Sequence, residues 1–424
     1  VPEPIVAVDN SGTAWVLLCA VLVLIMTPGI ALFYGGMVRR TNVLSVIAQA
    51  FAGMAVVSVL WVLVGFTLAF SGSNPFIGGL ADLGLPISAG NQIVPTVPLI
   101  AFALFQMMLA ILAGTLILGA GAERWRFAAY LGFVGVWSLL VYAPIAHGVF
   151  DPHGWAAQWG ALDFGGGIVV QVTAGATALG VAIALGRRRG WPGELTGPHN
   201  LPLVMTGLAL VWFGWLGLVG GPAYFGGAVA AVAMLNAQVA AAAGLLGWLI
   251  LDRVRYGKPT VLGAASGAVA GLVAISPGAG YVTTSAAVVI GAVAAVVCHF
   301  ATSLKHWFHV DDALDVAAVH LGGGVVGCLA VGLFATRSVN PTVTGGLFYS
   351  GGYRLLGVEA ATAAIVAVYA LVATLLIAVV VNASVGYRVR RRHETLGLDL
   401  AQHGESAYDL TPTHATLDAG PPAI

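Results

Sequence analysis

Apolar runs of 18 residues or more recur along the whole chain, and they constrain the fold more than any other feature. A run of that length matches the hydrocarbon thickness of a bilayer when helical. Only 8% of the 424 residues are charged, whereas 59% are hydrophobic. A soluble domain carries about 25% charged residues, so this chain lacks the polar surface a soluble protein of its size needs. The sequence therefore predicts an all-α polytopic membrane protein. Its formal net charge of zero argues against a nucleic-acid partner. The three cysteines, Cys19, Cys298 and Cys328, all fall inside apolar runs, which suggests neither a disulfide framework nor metal-ligand spacing. The first ten residues, VPEPIVAVDN, have neither a basic nor an apolar leader segment.

Eleven spans are expected, at 12–36, 42–71, 97–120, 127–149, 164–186, 200–219, 227–251, 261–275, 281–302, 313–335 and 358–386. The eighth and ninth are separated only by SPGAG, 276–280. The basic residues test the count. Alternate loops hold Arg39 and Arg40; Arg124 and Arg126; Arg187, Arg188 and Arg189; Arg253, Arg255 and Lys258; Lys305; and Arg388, Arg390, Arg391 and Arg392. That is 15 of the 17 Lys and Arg, and the other loops hold only Arg337 and Arg354. The positive-inside rule then places the N-terminus outside and the C-terminus in the cytoplasm. Residues 1–386 are expected to form one membrane domain and 387–424 a polar cytoplasmic tail, with disorder in roughly its last fifteen residues. The Arg cluster at the head of the tail reads as a stop-transfer anchor.

Two segments carry a polar residue deep into apolar surroundings. DFGGGIVVQ (163–171) starts with an acid and reaches Gln171 eight residues later, and DALDVAAVH (312–320) starts with Asp312 and reaches His320 at the same spacing. Eight residues at 1.5 Å each carry a side chain about 12 Å into a core about 30 Å thick. The two helices start from opposite faces, so each delivers one polar group near the midplane. MTPGIALFYGG and MTGLALVWFGW make a second, weaker echo. Together they suggest two antiparallel halves, about 12–186 and 200–335, with the eleventh helix, 358–386, added outside. Polar groups at that depth mark a pathway or a bond between helices. The glycines 165–167 have no basic partner and read as close helix packing, not as a phosphate loop.

On these residues the sequence resembles the ammonium transporter family, the Amt branch of the Amt/Mep/Rh proteins. The carrying motifs are MTPGIALFYGGMVRRTNVLS (26–45), GAGAERWRF (119–127), YAPIAHGVF (142–150), GALDFGGG (160–167), PHNLPLVMTG (198–207), GKPTVLGAASGAVAGLVAISPGAGY (257–281), VDDALDVAAVHLGGGVVG (310–327) and GLDLAQHGESAY (397–408). The resemblance implies eleven helices, an inverted five-plus-five repeat, a homotrimer with one pore per subunit, ammonium or ammonia as cargo, and a PII-type signalling protein at the cytoplasmic face. It implies that Gln171 and His320 occupy the midplane positions where the family usually has two histidines. It places Leu109 and Leu218 where two phenylalanines usually gate the outer end. Phe150 and Pro222 stand where an outer cation site usually has a tryptophan and a serine. Asp163, Asp312 and Asp315 fall at structural acid positions, beside Asp311.

These departures change the expected chemistry. A histidine pair can hand a proton on, whereas an amide does not titrate near neutrality. Gln171 can hold His320 in one tautomer but cannot relay its proton. Phe150 offers a cation a weaker π-face than tryptophan, and Pro222 has no hydroxyl. His147 is expected to be structural, and His299, His306 and His309 to be solvated or capping residues near the inner surface. A transporter or channel for ammonium or ammonia is the leading expectation. A non-conducting ammonium sensor and a Rhesus-type neutral gas channel are the alternatives. No nucleophile–base set, dinucleotide motif or facing histidine pair suggests an enzyme, a cofactor or haem.

Overall fold

The computed structural model describes residues 9–85, 96–193 and 197–408. Among the described residues, eleven helices are long and apolar enough to cross a membrane: α1 Asn10–Met37, α2 Val43–Phe70, α3 Leu99–Gly121, α4 Phe127–Trp159, α5 Gly167–Leu185, α6 Leu201–Ala223, α7 Ala228–Tyr256, α8 Val261–Gly278, α9 Thr284–Trp307, α10 Ala317–Phe334 and α11 Arg354–Val385. A twelfth, short helix follows at Arg391–Leu396 (α12). No β-strand longer than an isolated bridge occurs among the described residues. The expected spans therefore hold, and SPGAG does separate two helices, through a tight turn at Ser276–Gly278. The largest difference in length is in α4. Its last turn, Trp155–Trp159, resumes after a bend at 151–154.

Local sequence explains the helix starts. Asp9, Asn200, Thr260 and Thr283 each accept a backbone N–H at the head of α1, α6, α8 and α9. Small residues set how closely the helices approach. A Cβ on Gly175 would lie 2.1 Å from the Leu321 nitrogen, so α5 and α10 cross with their backbones in contact. The glycine run at 165–167 does serve close packing: a Cβ on Gly167 would meet the Pro277 ring at 2.4 Å.

The loops that carry the basic residues meet on one face and are tied together by ion pairs. Arg188 bonds Asp311 at 2.9 Å and Glu123 at 3.1 Å, and Arg39 bonds Glu123 at 3.2 Å. Arg124, fully buried, stands 3.7 Å from Asp311. Burial alone would raise the Asp311 carboxyl. The hydrogen bond from Arg188 and the charges of Arg124 and Arg188 outweigh it and hold the group below the ordinary carboxylate range. Glu123 is lowered likewise: burial opposes, but Arg188 and Arg39 prevail. A depressed folded value contributes stability above the unfolded pKa, about 4, and loses it as pH falls through the folded value. Thermal unfolding of the purified protein is thus expected to stay flat from about pH 7 to 5 in this contribution and to weaken below about pH 4.

The tail is more than an anchor. Residues 387–408 fold back onto this face. Arg388 bonds Glu394 at 2.8 Å and the Leu185 carbonyl at 2.9 Å. The Asn42 side-chain Oδ1 accepts from the Leu398 nitrogen at 2.8 Å, and Asp399 accepts from the Ser45 nitrogen at 2.7 Å. Gln402 accepts from the Phe127 nitrogen at 2.8 Å. The segment expected to be disordered lies almost wholly at 409–424, outside the described residues.

Candidate functional site

Gln171 and His320 meet. The His320 Nδ1 lies 2.7 Å from the Gln171 Oε1, and both side chains are buried, at 4% and 0% exposure. Each sits in a π-helical turn at the start of its helix, Gly167–Val172 in α5 and Ala317–Leu321 in α10. A π-turn holds one residue more than an α-turn and re-aims the side chains it carries. Each turn is capped by the acid eight residues before the polar group. The Asp163 carboxylate accepts from the nitrogens of Gly167, Ile168 and Val169 at 2.5, 2.8 and 2.9 Å. Asp312 accepts from the Ala317 nitrogen at 2.7 Å. The Ile168 carbonyl accepts from the Thr173 backbone N–H across the π-turn of α5 and also from the Thr173 hydroxyl, at 3.0 Å. The helix geometry puts the cap position at Gly166, not at Asp163; the acid caps from further back.

With the amide oxygen against Nδ1, His320 is the Nδ1–H tautomer, and its Nε2 carries a lone pair. The Gln171 amide nitrogen is buried and has no hydrogen-bond partner in the protein. The pair thus presents one free acceptor and one free donor group.

Two cavities bear on the site, one bordered by Asp163 and the other by His320. One, of 560 Å³, is lined by Phe105, Gln106, Leu109, Phe150, Pro222 and Tyr224 among others, with Asp163 on its wall. The second, of 240 Å³, runs from His320 and Trp215 to Asp252, His299, Thr302 and Asp315. Leu109 of the expected gate and Phe150 and Pro222 of the expected outer site thus line one cavity. Leu218 does not: it is fully buried and off the cavity wall. Gln106 was not foreseen; its side-chain oxygen is buried there without a partner. Asp312 and Asp315 are where the sequence places them, and Asp315 bonds Lys305 at 2.7 Å.

His147 is structural, its Nδ1 2.9 Å from the Ala69 carbonyl. His306 and His309 are exposed, in line with expectation. His299 departs from it. It is only 3% exposed, and neither ring nitrogen has a hydrogen-bond partner. Among the described residues, no three His, Cys, Asp or Glu gather as a metal-ligand set, and the three cysteines are free and buried.

Comparison with known proteins gives the same picture. The description Ammonium Transporter Family matches residues 14–408. The chain is 46% identical to a Bacillus subtilis ammonium transporter, covering 93% of this chain and 98% of the relative. It is 44% identical to a Mycobacterium tuberculosis ammonium transporter, covering 96% of this chain and 92% of the relative. The crystal structure of Saccharomyces cerevisiae Mep2 superposes with a TM-score of 0.88 at 33% identity, covering 96% of this chain and 93% of that one. This chain belongs to the ammonium transporter family.

Proposed function

We propose that this protein moves ammonium nitrogen across a cell membrane, and that the species passing Gln171 and His320 is neutral ammonia. The observation that carries this is the buried 2.7 Å bond between the two side chains, with one cavity reaching His320 and another bordered by Asp163. Ammonia has a lone pair and N–H groups, so it can accept from the unpartnered Gln171 amide and donate to the His320 Nε2. Ammonium has only donors and would set its own N–H against the amide. It would also carry a full charge to mid-membrane, which costs at least a few kcal/mol. The proton must leave ammonium before this point, and Gln171 cannot carry it onward.

Leu109 and Leu218 close the outer approach as a dry plug. Phe150 and Pro222 make the outer mouth a poor cation trap. Asp163, Asp312 and Asp315 are structural. The basic loops lie in the cytoplasm, the N-terminus outside, and the protein sits in the plasma or inner membrane with 1–386 as its membrane domain and 387–424 as its tail. The matched capping of α5 and α10 supports two inverted halves, 12–186 and 200–335. A homotrimer and a PII-type partner at the tail-bearing face complete the reading. The sensor alternative is weaker, because the matched relatives bear transporter names.

The test uses proteoliposomes loaded with a pH dye and assayed on a supported membrane. An ammonium pulse is expected to alkalinise the lumen well above empty liposomes while evoking little current. Absence of both signals would defeat the transporter reading. A full charge per nitrogen moved would defeat the neutral-ammonia step.

A further inference from the structure

The cavity that begins at His320 ends at a second buried polar pair, which the mechanism above does not use. Asp252, near the end of α7, and His299, in α9, are each 3% exposed, and both line this cavity. The His299 Nδ1 stands 3.8 Å from the Asp252 Oδ1, too far for a hydrogen bond. The His299 nitrogens therefore remain without partners, deep in the protein. Buried polar groups are rarely left so, and each one calls for an explanation.

The surroundings hold the pair open for a guest. The Asp252 Oδ2 accepts from the Thr260 hydroxyl at 2.6 Å, and that hydroxyl oxygen in turn accepts from the Gly263 nitrogen at 2.8 Å. This fixes one carboxylate oxygen and leaves the other toward His299. A Cβ on Gly263 would lie 2.1 Å from Oδ2, so glycine there makes room for the acid. Trp248 and Tyr256 flank the imidazole with ring centroids at 5.2 and 6.1 Å, and both line the same cavity. A gap of 3.8 Å lets a single N–H donor stand about 2.9 Å from each of the two atoms. The guest must donate to both, carry positive charge to match the carboxylate, and tolerate aromatic walls.

We propose that Asp252 and His299 form a binding site for a small monovalent cation, ammonium itself, at the far end of the cavity from His320. The proposal rests on the reading that this cavity is the cytoplasmic half of the conduit. Ammonia that passes His320 is then re-protonated on the cytoplasmic side and held as ammonium by Asp252 before release. Arg255, whose guanidinium lies over Tyr256 and Phe300 at 5.5 and 5.7 Å from their centroids, is the nearby cation that limits how tightly the guest is held.

Thallium(I), close to ammonium in size, reports the site directly. Crystals of the full chain soaked in a thallium(I) salt should show an anomalous peak between Asp252 and His299, and added ammonium should displace it. Asp252→Asn should lower thallium occupancy about tenfold or more, because the bare ion loses the carboxylate charge that faces it. His299→Phe should lower it as well, and Asp252→Glu should retain it. In oriented vesicles, Asp252→Asn should raise the half-saturating ammonium concentration about tenfold from the cytoplasmic side only. A merely structural pair would not move one side alone. No peak in the unaltered protein, a peak that ammonium fails to displace, or a peak that survives in folded Asp252→Asn would each overturn the site. Because thallium binding needs no transport, a peak without ammonium flux keeps the site and sinks the transporter reading. Flux without a peak does the reverse.

Discussion

Gln171→His is expected to raise ammonium-evoked current by about a hundredfold. The present pair lacks a second titratable group, so a proton that reaches His320 has no side chain to pass to. An imidazole at position 171 would stand within hydrogen-bond reach of the His320 ring, given the 2.7 Å contact already present. A positioned acid–base group speeds proton transfer by roughly 10²–10⁴, and the lower end is used because the outer mouth, with Phe150 and Pro222, still supplies ammonium poorly. Supported-membrane recordings on proteoliposomes check this, with Gln171→Leu as control. Leucine removes the partner of the His320 Nδ1–H and adds no relay, so its current should not rise. An unchanged current in Gln171→His would move the bottleneck to the plug at Leu109 and Leu218.

Asp163→Ala is expected to cost the folded protein about 3 kcal/mol, and to abolish ammonia flux even where protein is recovered. Three backbone donors, Gly167, Ile168 and Val169, lose their only carboxylate partner together. An unsatisfied buried donor costs about 1–3 kcal/mol. Asp163 borders the outer cavity, so water offsets part of that sum. The flux loss follows because the same turn carries Gln171. Asp163→Asn keeps one carbonyl oxygen and should give a smaller loss. Tryptophan-fluorescence melts in detergent and the alkalinisation assay measure the two effects.

Much of this architecture was legible in the sequence, for physical reasons. A helix in lipid must be apolar over a fixed length, and its flanking charges must sort by face, so spans and loops announce themselves. The meeting of Gln171 with His320 was legible because equal spacing from a capping acid sets equal depth. The π-turns that aim the two side chains were not, since an extra residue per turn depends on what the helix packs against. Thr173, whose hydroxyl gives the Ile168 carbonyl a second donor, carries no signal of this in the sequence. That Leu218 is fully buried and off the cavity wall is set by tertiary packing, which the sequence does not show. Asp252 stands at the end of an apolar run, with nothing in the sequence to set it apart. His299 shared a stretch with the exposed His306 and His309 and was grouped with them. Only the fold brings these two, 47 positions apart in the chain, to one cavity. The tail was similarly masked, because its arginines already had a sufficient role as an anchor.

The clasp between that tail and the start of α2 bears on how the protein is made. Asn42 and Ser45 emerge from the ribosome 356 and 354 residues ahead of their partners Leu398 and Asp399. Until then the Asn42 oxygen and the Ser45 amide lack these partners, and Arg39 lacks the Glu394 carbonyl it donates to. A chain cut short by nonsense mutation or trimmed by a protease would keep all eleven helices yet leave this face unlatched. Full-length and clipped molecules thus differ at one exposed seam, which gives cellular quality control a place to tell them apart.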